Sequence, residues 1–231
     1  IPKGKVKTLT IKRNRAGQWF ASFTCEITKS KKYNPHQKPI VGIDVGIKNF
    51  ATLSDGTYIQ NPKHLVVAEN KIQKLHRNVS RKKKESNNRK KACLRLAKHY
   101  VKITNQRNDF LHKLSQTITM NYKTVAVENL TITKMMKNSY FAKFIADASW
   151  NRFIKMLSYK AVIGDGQIIE VDPRNTSKLC SFCGNKEPMS LSQRTFNCSS
   201  CGLIMDRDHN AARNIYSRAG HVRTDTPVEI A

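Results

Sequence analysis

Three short apolar runs along the chain predict buried β-strands, and two of these runs end in a carboxylate. Residues 40–43 (IVGI) lead into Asp44, and residues 124–127 (TVAV) lead into Glu128. A third run, residues 167–171 (QIIEV), follows a Gly-Asp-Gly turn. Short runs rich in β-branched residues are typical of strands buried in a sheet. We therefore predict a sheet that carries acidic side chains at the ends of two strands.

Alternating polar and apolar residues predict a β-hairpin near the start of the chain. Residues 5–12 and 19–27 alternate on either side of a turn at residues 14–17. Residues 40–60 predict a second hairpin, with Ser-Asp-Gly at its turn. Residues 28–38 between the two hairpins are polar and basic, which indicates a linker.

The segment from residue 60 to residue 118 has the pattern of a helical hairpin, which we call the helical arm. Its apolar residues recur at spacings of three, four and seven, which predicts two long helices with a narrow apolar seam. These residues are Ile72, Leu75, Val79, Leu94, Ala97, Val101, Leu111 and Ile118. Residues 85–88 are the predicted tip of the arm, and residues 135–159 predict a further helix.

The charge of the chain makes nucleic acid the first partner to consider. The sequence has 42 Lys and Arg against 16 Asp and Glu, a formal net charge of +26. Residues 60–115 hold 16 of the basic residues and three acidic ones. Like charges one helical turn apart destabilise a helix, and a phosphate backbone would relieve that repulsion. The candidate contacts lie near the tip of the arm: Lys82, Lys83, Lys84, Arg89, Lys90 and Lys91.

Two other interpretations of this charge are open. The arm could be a solvated pair of charged helices, or the chain could be a basic protein of a membrane surface. No apolar run approaches the roughly 18 residues that a transmembrane helix needs, and no signal peptide opens the sequence. We therefore expect no membrane partner.

Four of the six cysteines stand at metal-ligand spacing. Cys180 and Cys183 form one Cys-x-x-Cys-Gly motif, Cys198 and Cys201 form another, and 14 residues separate them. Four thiolates at this spacing suit one tetrahedral Zn²⁺, and four protein ligands make the site structural. Four thiols without metal and a redox-active pair are the alternatives. Paired cysteines of this kind are typical of a reducing, intracellular setting.

A third acidic candidate follows the last cysteine motif. Asp208 and Asn210 lie in DRDHNAARNI, where they can start a helix whose two alanines allow close packing on the sheet. Asp44, Glu128 and Asp208 could together form a cage of oxygen ligands, which suits Mg²⁺ or Mn²⁺. Two such ions about 4 Å apart would activate water and stabilise the leaving oxygen in phosphodiester hydrolysis.

The sequence around Asp44 also fits a plainer role. An aspartate at the end of a strand can merely begin a turn. A buried carboxylate, however, is unfavourable unless it is paired or binds a cation. Gly42 and Gly46 remove side chains on either side of Asp44, which leaves room for a ligand or for another backbone.

Four stretches resemble the RuvC-like nuclease of the TnpB family, transposon-encoded RNA-guided endonucleases related to compact type V CRISPR effectors. They are GIDVGIKNFAT at 42–52, VAVENLTI at 125–132, TSKLCSFCG at 176–184 and CSSCGLIMDRDHNAARNI at 198–215. The resemblance covers about residues 37–218. It implies an α/β fold with an RNase H-like (RuvC-like) mixed sheet flanked by helices, a long basic helical hairpin and an inserted four-cysteine zinc ribbon.

The resemblance also implies an organisation into domains and a set of site residues. The catalytic acids and magnesium ligands would be Asp44, Glu128 and Asp208, with Asp206 as a neighbour, and the ribbon would hold zinc. The implied segments are a hairpin remnant of a wedge-like barrel (1–35), the first nuclease part with the arm at 60–118 (36–175), the ribbon (176–204), the final nuclease helix (205–218) and a tail (219–231).

The function that the resemblance implies is metal-dependent, RNA-guided cleavage of DNA. The partners of the protein would be a guide RNA and target DNA. The protein would act in the cytoplasm of a prokaryotic cell, associated with the nucleoid. The family's longer N-terminal part has little counterpart here and the sequence begins with Ile1, so a separate N-terminal part or a second copy is a further expected partner. The alternatives are a truncated RNA- or DNA-binding accessory protein or repressor, and a strand-joining transposase, which the cysteine insertion disfavours.

Overall fold

The computed structural model describes residues 4–26, 38–190 and 192–221. The chain divides into two compact units, one of residues 1–33 with 63–110 and one of residues 34–62 with 111–231. The predicted linker at 28–38 lies outside the described residues except for its last residue, and so does the predicted tail from residue 222 onward. The domain boundaries proposed from the sequence stay a prediction.

The first unit contains the predicted β-hairpin. Strands β1 (Lys5–Arg13) and β2 (Trp19–Glu26) pair antiparallel. The side chain of Asn14 accepts hydrogen bonds from the main-chain N–H groups of Ala16 and Gln18 at 2.9 and 3.0 Å, which closes the turn. The prediction of a hairpin with its turn at 14–17 is confirmed.

The helical arm consists of α1 (His64–Ser80) and α2 (Asn87–Asn121). The two predicted helices are present, and so is the predicted tip near residue 85. Arg89 holds the tip together, since its guanidinium donates to the main-chain carbonyls of Val79 and Lys82 at 3.1 and 3.3 Å. These bonds connect the start of α2 to the end of α1 and to the turn between the two helices.

The second unit is built on a five-stranded mixed sheet. Its strands are β3 (Lys38–Val45), β4 (Asn49–Leu53), β5 (Tyr58–Gln60), β6 (Tyr122–Glu128) and β7 (Gln167–Val171). They lie in the order β5-β4-β3-β6-β7. β3, β6 and β7 are parallel, whereas β4 and β5 join by antiparallel pairing. The three runs predicted to be buried strands, residues 40–43, 124–127 and 167–171, all lie in strands of this sheet.

The prediction of one helix over residues 135–159 is wrong. The segment contains α3 (Ile132–Met135), α4 (Ser139–Ala148) and α5 (Trp150–Ile163). Asn138 caps α4 by accepting a hydrogen bond from the N–H of Tyr140 at 3.1 Å. Ser149 has a left-handed conformation, with φ of 56°, and this separates α4 from α5.

The ribbon and the last helix complete the second unit. Strands β8 (Thr195–Asn197) and β9 (Ile204–Asp206) form a small antiparallel pair, and α6 (Arg207–His221) follows directly. α6 packs against β3, β4, β6 and β7. Among the described residues, none of the helices is both long and apolar enough to cross a membrane.

Candidate functional site: an acidic cluster beside a four-cysteine ribbon

One face of the sheet carries a row of polar side chains across four strands. Asp44 on β3 pairs with Thr52 on β4, and Thr52 pairs with Tyr58 on β5. The register of the parallel strands β3 and β6 places Glu128 beside Asp44. Residues that pair across strands point to the same face. The two strand-end acids predicted from the sequence therefore lie side by side on one face.

Helix α6 lies on this same face because Gly42 permits a very close approach. A Cβ atom at Gly42 would lie 2.3 Å from the carbonyl oxygen of Ala212 and 2.5 Å from the main-chain nitrogen of Tyr216. Gly42 is two residues from Asp44, so both residues face α6. The room predicted at Gly42 is thus used by another backbone, and the close packing brings the first turn of α6, with Asp208, toward the two strand-end acids.

The start of α6 differs in one respect from the sequence prediction. The helix begins at Arg207, and Asp206 rather than Asp208 or Asn210 supplies the cap. The carboxylate of Asp206 accepts hydrogen bonds from the N–H groups of Asp208 and His209 at 3.0 and 3.1 Å. Asp206 therefore has a structural role, and the side chain of Asp208 is left available in the first turn.

The negative charges of Glu128 and Asp208 both act on the carboxyl group of Asp44. Burial raises the pKa of Asp44 well above its ordinary value, and the negative charges of Glu128 and Asp208 raise it further. Arg207 opposes this shift, and Asp206 adds to it. A positive charge close to Asp44 would favour its ionised form.

The other two acids have raised pKa values as well, and each has neighbours that favour its ionised form. Burial raises the pKa of Glu128, while the hydroxyl of Thr176, which donates to Glu128 Oε1, and the charge of Arg218 lower it. Burial and the charge of Asp206 raise the pKa of Asp208. Three cations near Asp208 act in the opposite direction, namely Arg207, Arg194 and Lys48.

The ligand chemistry of this acidic cluster fits a hard divalent cation. Its three carboxylates offer oxygen atoms only, which Mg²⁺ and Mn²⁺ prefer, and no thiol or imidazole belongs to the set. A bound cation would remove the repulsion that raises the pKa of Asp44. The arrangement therefore has the composition of a magnesium or manganese site.

The four paired cysteines converge in the ribbon. All six cysteines of the chain are free thiols, and the Sγ atoms of these four lie within 4.8 Å of one another. Two Sγ pairs are 3.7 and 3.5 Å apart, namely Cys180 with Cys201 and Cys183 with Cys198. Sulfurs arranged tetrahedrally about 2.3 Å from Zn²⁺ would be about 3.8 Å apart. The cluster therefore matches a tetrahedral zinc site in both composition and size.

The thiols of the ribbon also have properties suited to a metal. The N–H groups of Cys201 and Ser200 lower the pKa of Cys198 to about 7. The N–H of Leu203 lowers the pKa of Cys201, but burial and the three neighbouring thiols outweigh it and raise this pKa to about 12. Four thiolates thus require a cation. The glycines after each motif, Gly184 and Gly202, have φ of 76° and 73°, as the predicted tight turns require.

Two buried amides connect the ribbon to α6, and sequence reasoning gave them no such role. Asn210 is fully buried; its Nδ2 donates to the carbonyl of Leu179 at 2.7 Å and its Oδ1 accepts from the N–H of Ser181 at 2.9 Å. Asn214 donates to the carbonyls of Thr176 and Leu179 at 2.8 and 2.7 Å. Their signal in the sequence is two asparagines one helical turn apart among alanines, a spacing that puts both on one face.

The six residues predicted to contact nucleic acid lie around the tip of the arm, and their binding role stays a prediction. The five lysines of the set are exposed around the tip, whereas Arg89 is half-buried and bonded to two carbonyls. Arg89 therefore has a structural role at this tip, and the lysines remain the candidates for phosphate contact.

Two family models match the chain. Residues 22–139 match OrfB_IS605, described as a probable transposase, and residues 150–215 match the Cas12f1-like TNB domain. Among solved structures, the Cas12f1–sgRNA–target DNA complex superposes with a TM-score of 0.56 at 21% identity, covering 91% of this chain and 56% of that one. A CRISPR-Cas12f ternary complex gives 0.57 at 22% identity, covering 90% and 44%. At these identities the likeness concerns the fold.

Three curated relatives extend the comparison. A Streptomyces pristinaespiralis protein named "Putative RNA-guided DNA endonuclease" is 42% identical over 218 residues, which cover 93% of this chain and 54% of the relative. InsQ of Escherichia coli K12, named in the same way, is 32% identical, with 94% and 58% covered. The chain spans about half the length of these two. The TnpB-like protein MJ0751 of Methanocaldococcus jannaschii is 30% identical, with 83% and 73% covered. The OrfB_IS605 model matches half of the chain, and the similarity to MJ0751 extends over most of both proteins. The chain therefore belongs to the TnpB family that the OrfB_IS605 model describes.

Proposed function

We propose that the chain is the nuclease part of an RNA-guided DNA endonuclease, and that Asp44, Glu128 and Asp208 are its catalytic carboxylates. The observation that carries the proposal is the acidic cluster, in which three separate elements of the second unit bring carboxylates to one face of the sheet. Burial raises the pKa of all three acids, and the negative charges of Glu128 and Asp208 raise the pKa of Asp44 further, as is common at functional sites.

The acidic cluster fits phosphodiester hydrolysis only with divalent cations. Three carboxylates alone would repel the phosphate of a nucleic acid. Asp44, Glu128 and Asp208 would hold Mg²⁺ or Mn²⁺, which supplies an activated water and stabilises the charge on the leaving oxygen. The ribbon cysteines would hold Zn²⁺ in a structural site, since four thiolates leave no open position.

The surrounding residues keep the carboxylates in place. Thr176 donates to Glu128 Oε1 and so fixes the orientation of that carboxylate. Asp206 caps α6 and so fixes the first turn, in which Asp208 lies. Three cations near Asp208, Lys48, Arg194 and Arg207, would attract the phosphates that flank the reacting one.

The proposed partners are a guide RNA and its target DNA. The excess of basic residues in the arm supports both, and so do the names of the Streptomyces and Escherichia coli relatives. We also propose a separate N-terminal part or a second copy of the chain as a further partner. The proposed place of action is the nucleoid in the cytoplasm of a prokaryotic cell.

Metal binding by the chain itself tests the acidic cluster without any guide RNA. We expect Mn²⁺, measured by calorimetry or by electron paramagnetic resonance, to bind the parent and to bind Asp44→Asn at least about tenfold more weakly. Asp165→Asn is the matched control, because Asp165 is exposed on a turn and its left-handed φ of 58° suits asparagine. Equal Mn²⁺ affinity in the parent and in Asp44→Asn would contradict the assignment of the acids.

Cleavage tests the function. With its locus RNA and any completing protein part supplied, the parent should cut matched DNA in Mg²⁺, and Asp44→Ala should bind that DNA without cutting it. Equal cutting by both proteins would refute the proposed catalytic role.

A binding protein without cleavage is the second candidate, and the five exposed lysines at the tip of the arm favour it, because they can contact phosphate without the acids. Mn²⁺ binding and nucleic-acid binding by a parent that never cuts would favour this candidate.

A further inference from the structure

An open cavity of about 360 Å³ lies between the start of β3, the β4–β5 turn and the middle of α6. Its volume is within the range of small-ligand sites, which begins near about 300 Å³. The charged and hydroxyl-bearing residues that line it include Lys38, Ser54, Asp55, Arg213, Tyr216 and Ser217. We call it the α6 cavity. None of these residues belongs to the acidic cluster or to the ribbon thiols.

Arg213 differs from the other two arginines of α6 in having no protein acceptor. Arg207 donates to two main-chain carbonyls of the ribbon loop, and Arg218 donates to two carbonyls that follow β7. Arg213 is half-buried at the wall of the cavity, and within residues 4–26, 38–190 and 192–221 its guanidinium makes neither a hydrogen bond nor an ion pair. The five N–H donors of this guanidinium are therefore available to water or to a ligand that enters the cavity.

The carboxylate of Asp55, which also lines the cavity, is already engaged. Its Oδ2 accepts a hydrogen bond from the hydroxyl of Tyr122 at 2.5 Å and one from Lys38 Nζ at 3.2 Å. Partial burial acts to raise the pKa of Asp55, but these bonds and those from Thr57 lower it to about 2. Asp55 and Lys38 thus neutralise one another, which leaves the charge of Arg213 for an anion.

Hydroxyl groups distinguish between the possible anions. Ser54 Oγ accepts a hydrogen bond from the N–H of Gly42 at 3.0 Å, so its own hydrogen is available to a ligand. Tyr216 and Ser217 lie three and four residues after Arg213, on the same side of α6. A bidentate arginine contacts both oxygens of a carboxylate, or two of the oxygens of a phosphate. A phosphate has further oxygens, which the hydroxyls can reach. We propose that the α6 cavity binds a phosphate group, with Arg213 as its bidentate donor.

This site goes beyond the proposed nuclease function and does not depend on it. Arg213 lies five residues after Asp208 on the same helix, about 7.5 Å along its axis. The cavity and Asp208 therefore lie on the same helix, less than two turns apart. A free nucleotide could supply the same phosphate chemistry, and the experiment below separates the two sources.

The test follows the side chain of Arg213 directly. In ¹⁵N-labelled protein, the Arg213 Nε–H resonance is the one that disappears in Arg213→Gln. Inorganic phosphate, thymidine 5′-monophosphate and a short oligothymidylate are added in turn to the full chain at physiological salt. We expect a saturable shift of this resonance in the parent. Calorimetry should give an affinity about tenfold weaker in Arg213→Gln, because charge-assisted hydrogen bonds are removed. Arg152→Gln is the matched control, since Arg152 is exposed on α5 and does not line the cavity.

Each outcome either supports or overturns the phosphate site in the α6 cavity. A shift with all three ligands supports a phosphate site that accepts free nucleotides, and a shift with the oligothymidylate alone supports a site for the nucleic-acid backbone. No shift of the Arg213 resonance with any ligand overturns the proposal. Equal weakening by Arg213→Gln and Arg152→Gln also overturns it, because the binding would then reflect overall charge. Circular dichroism of Arg213→Gln checks that the variant is folded.

Discussion

Replacing Gly42 by alanine tests the packing that brings Asp208 toward the sheet. The new Cβ would lie 2.3 Å from the carbonyl oxygen of Ala212, and 2.5 and 2.9 Å from the nitrogen and Cα of Tyr216. All three are backbone atoms of α6, so no change of rotamer relieves the overlap. Ordinary contacts begin near 3.4 Å, and α6 must therefore move away from β3 by about 1 Å.

The size of the effect follows from this displacement. Overpacking a core costs about 1–3 kcal/mol, and we expect the upper end, about 3 kcal/mol of unfolding free energy, because rigid backbone lies on both sides. The first turn of α6 carries Asp208 with it. Since a misplacement of about 1 Å can cost about a hundredfold where geometry matters, Mn²⁺ affinity should fall as well.

Gly220→Ala is the control within the same helix. A Cβ at Gly220 meets nothing within 4 Å, and alanine is the better helix former by up to about 1 kcal/mol. The assay is urea unfolding followed by circular dichroism, together with Mn²⁺ titration of each folded variant. If Gly42→Ala unfolds within about 0.5 kcal/mol of the parent and binds Mn²⁺ equally well, the packing argument fails.

Three further predictions concern the zinc, the arm and the acid stability of the second unit. The parent should contain one equivalent of zinc by elemental analysis, and Cys198→Ser should lose it and destabilise the ribbon; folded protein without zinc would contradict the site. Replacing the tip cations by glutamine should reduce the slope of log affinity against log salt by about 0.7 to 0.9 for each phosphate that the arm no longer neutralises; an unchanged slope would leave the arm as a solvated helix pair. The full set is Lys82, Lys83, Lys84, Arg89, Lys90 and Lys91, and sparing Arg89 provides a variant with the tip intact. The pKa of Asp55 is about 2 in the folded chain and about 3.9 in the unfolded chain. Ionised Asp55 therefore stabilises the folded state above pH 3.9, and this contribution is lost as the pH falls toward 2. After allowance for solvent screening, the loss is about 1 kcal/mol of unfolding free energy. Asp55→Asn should remove that part of the pH dependence in acid unfolding, and an identical profile would refute it.

The sequence predicted the sheet and its acids because both depend on local patterns. A run such as IVGI is apolar enough to require burial, and a carboxylate at its end is conspicuous. Parallel strands then bring such ends together without further information, which is why Asp44 and Glu128 are neighbours. The cysteine motifs are equally local, since two residues between thiols and a following glycine define each turn.

Other features were missed because they depend on contacts between distant segments. Thr176 is 48 residues from Glu128 in sequence, and nothing near it indicates a hydrogen bond to that acid. The break at Ser149 arises in a segment whose apolar spacing continues through it, so periodicity alone predicts one helix. Asp206 and Asp208 both suit a helix cap, and only the structure shows which of them makes the bonds.

The buried amides of α6 explain why a structural ribbon should matter to the acidic cluster. Asn210 binds the main chain on both sides of Cys180, and Asn214 binds the carbonyl of Leu179 as well. If the ribbon unfolds, these amides lose their partners inside the second unit, at a cost of about 1–3 kcal/mol for each unsatisfied group. The helix can avoid that cost only by moving so that water reaches the amides. Asp208 is two residues before Asn210 and moves with it, so loss of the ribbon's metal should disturb an acidic cluster that contains none of its ligands.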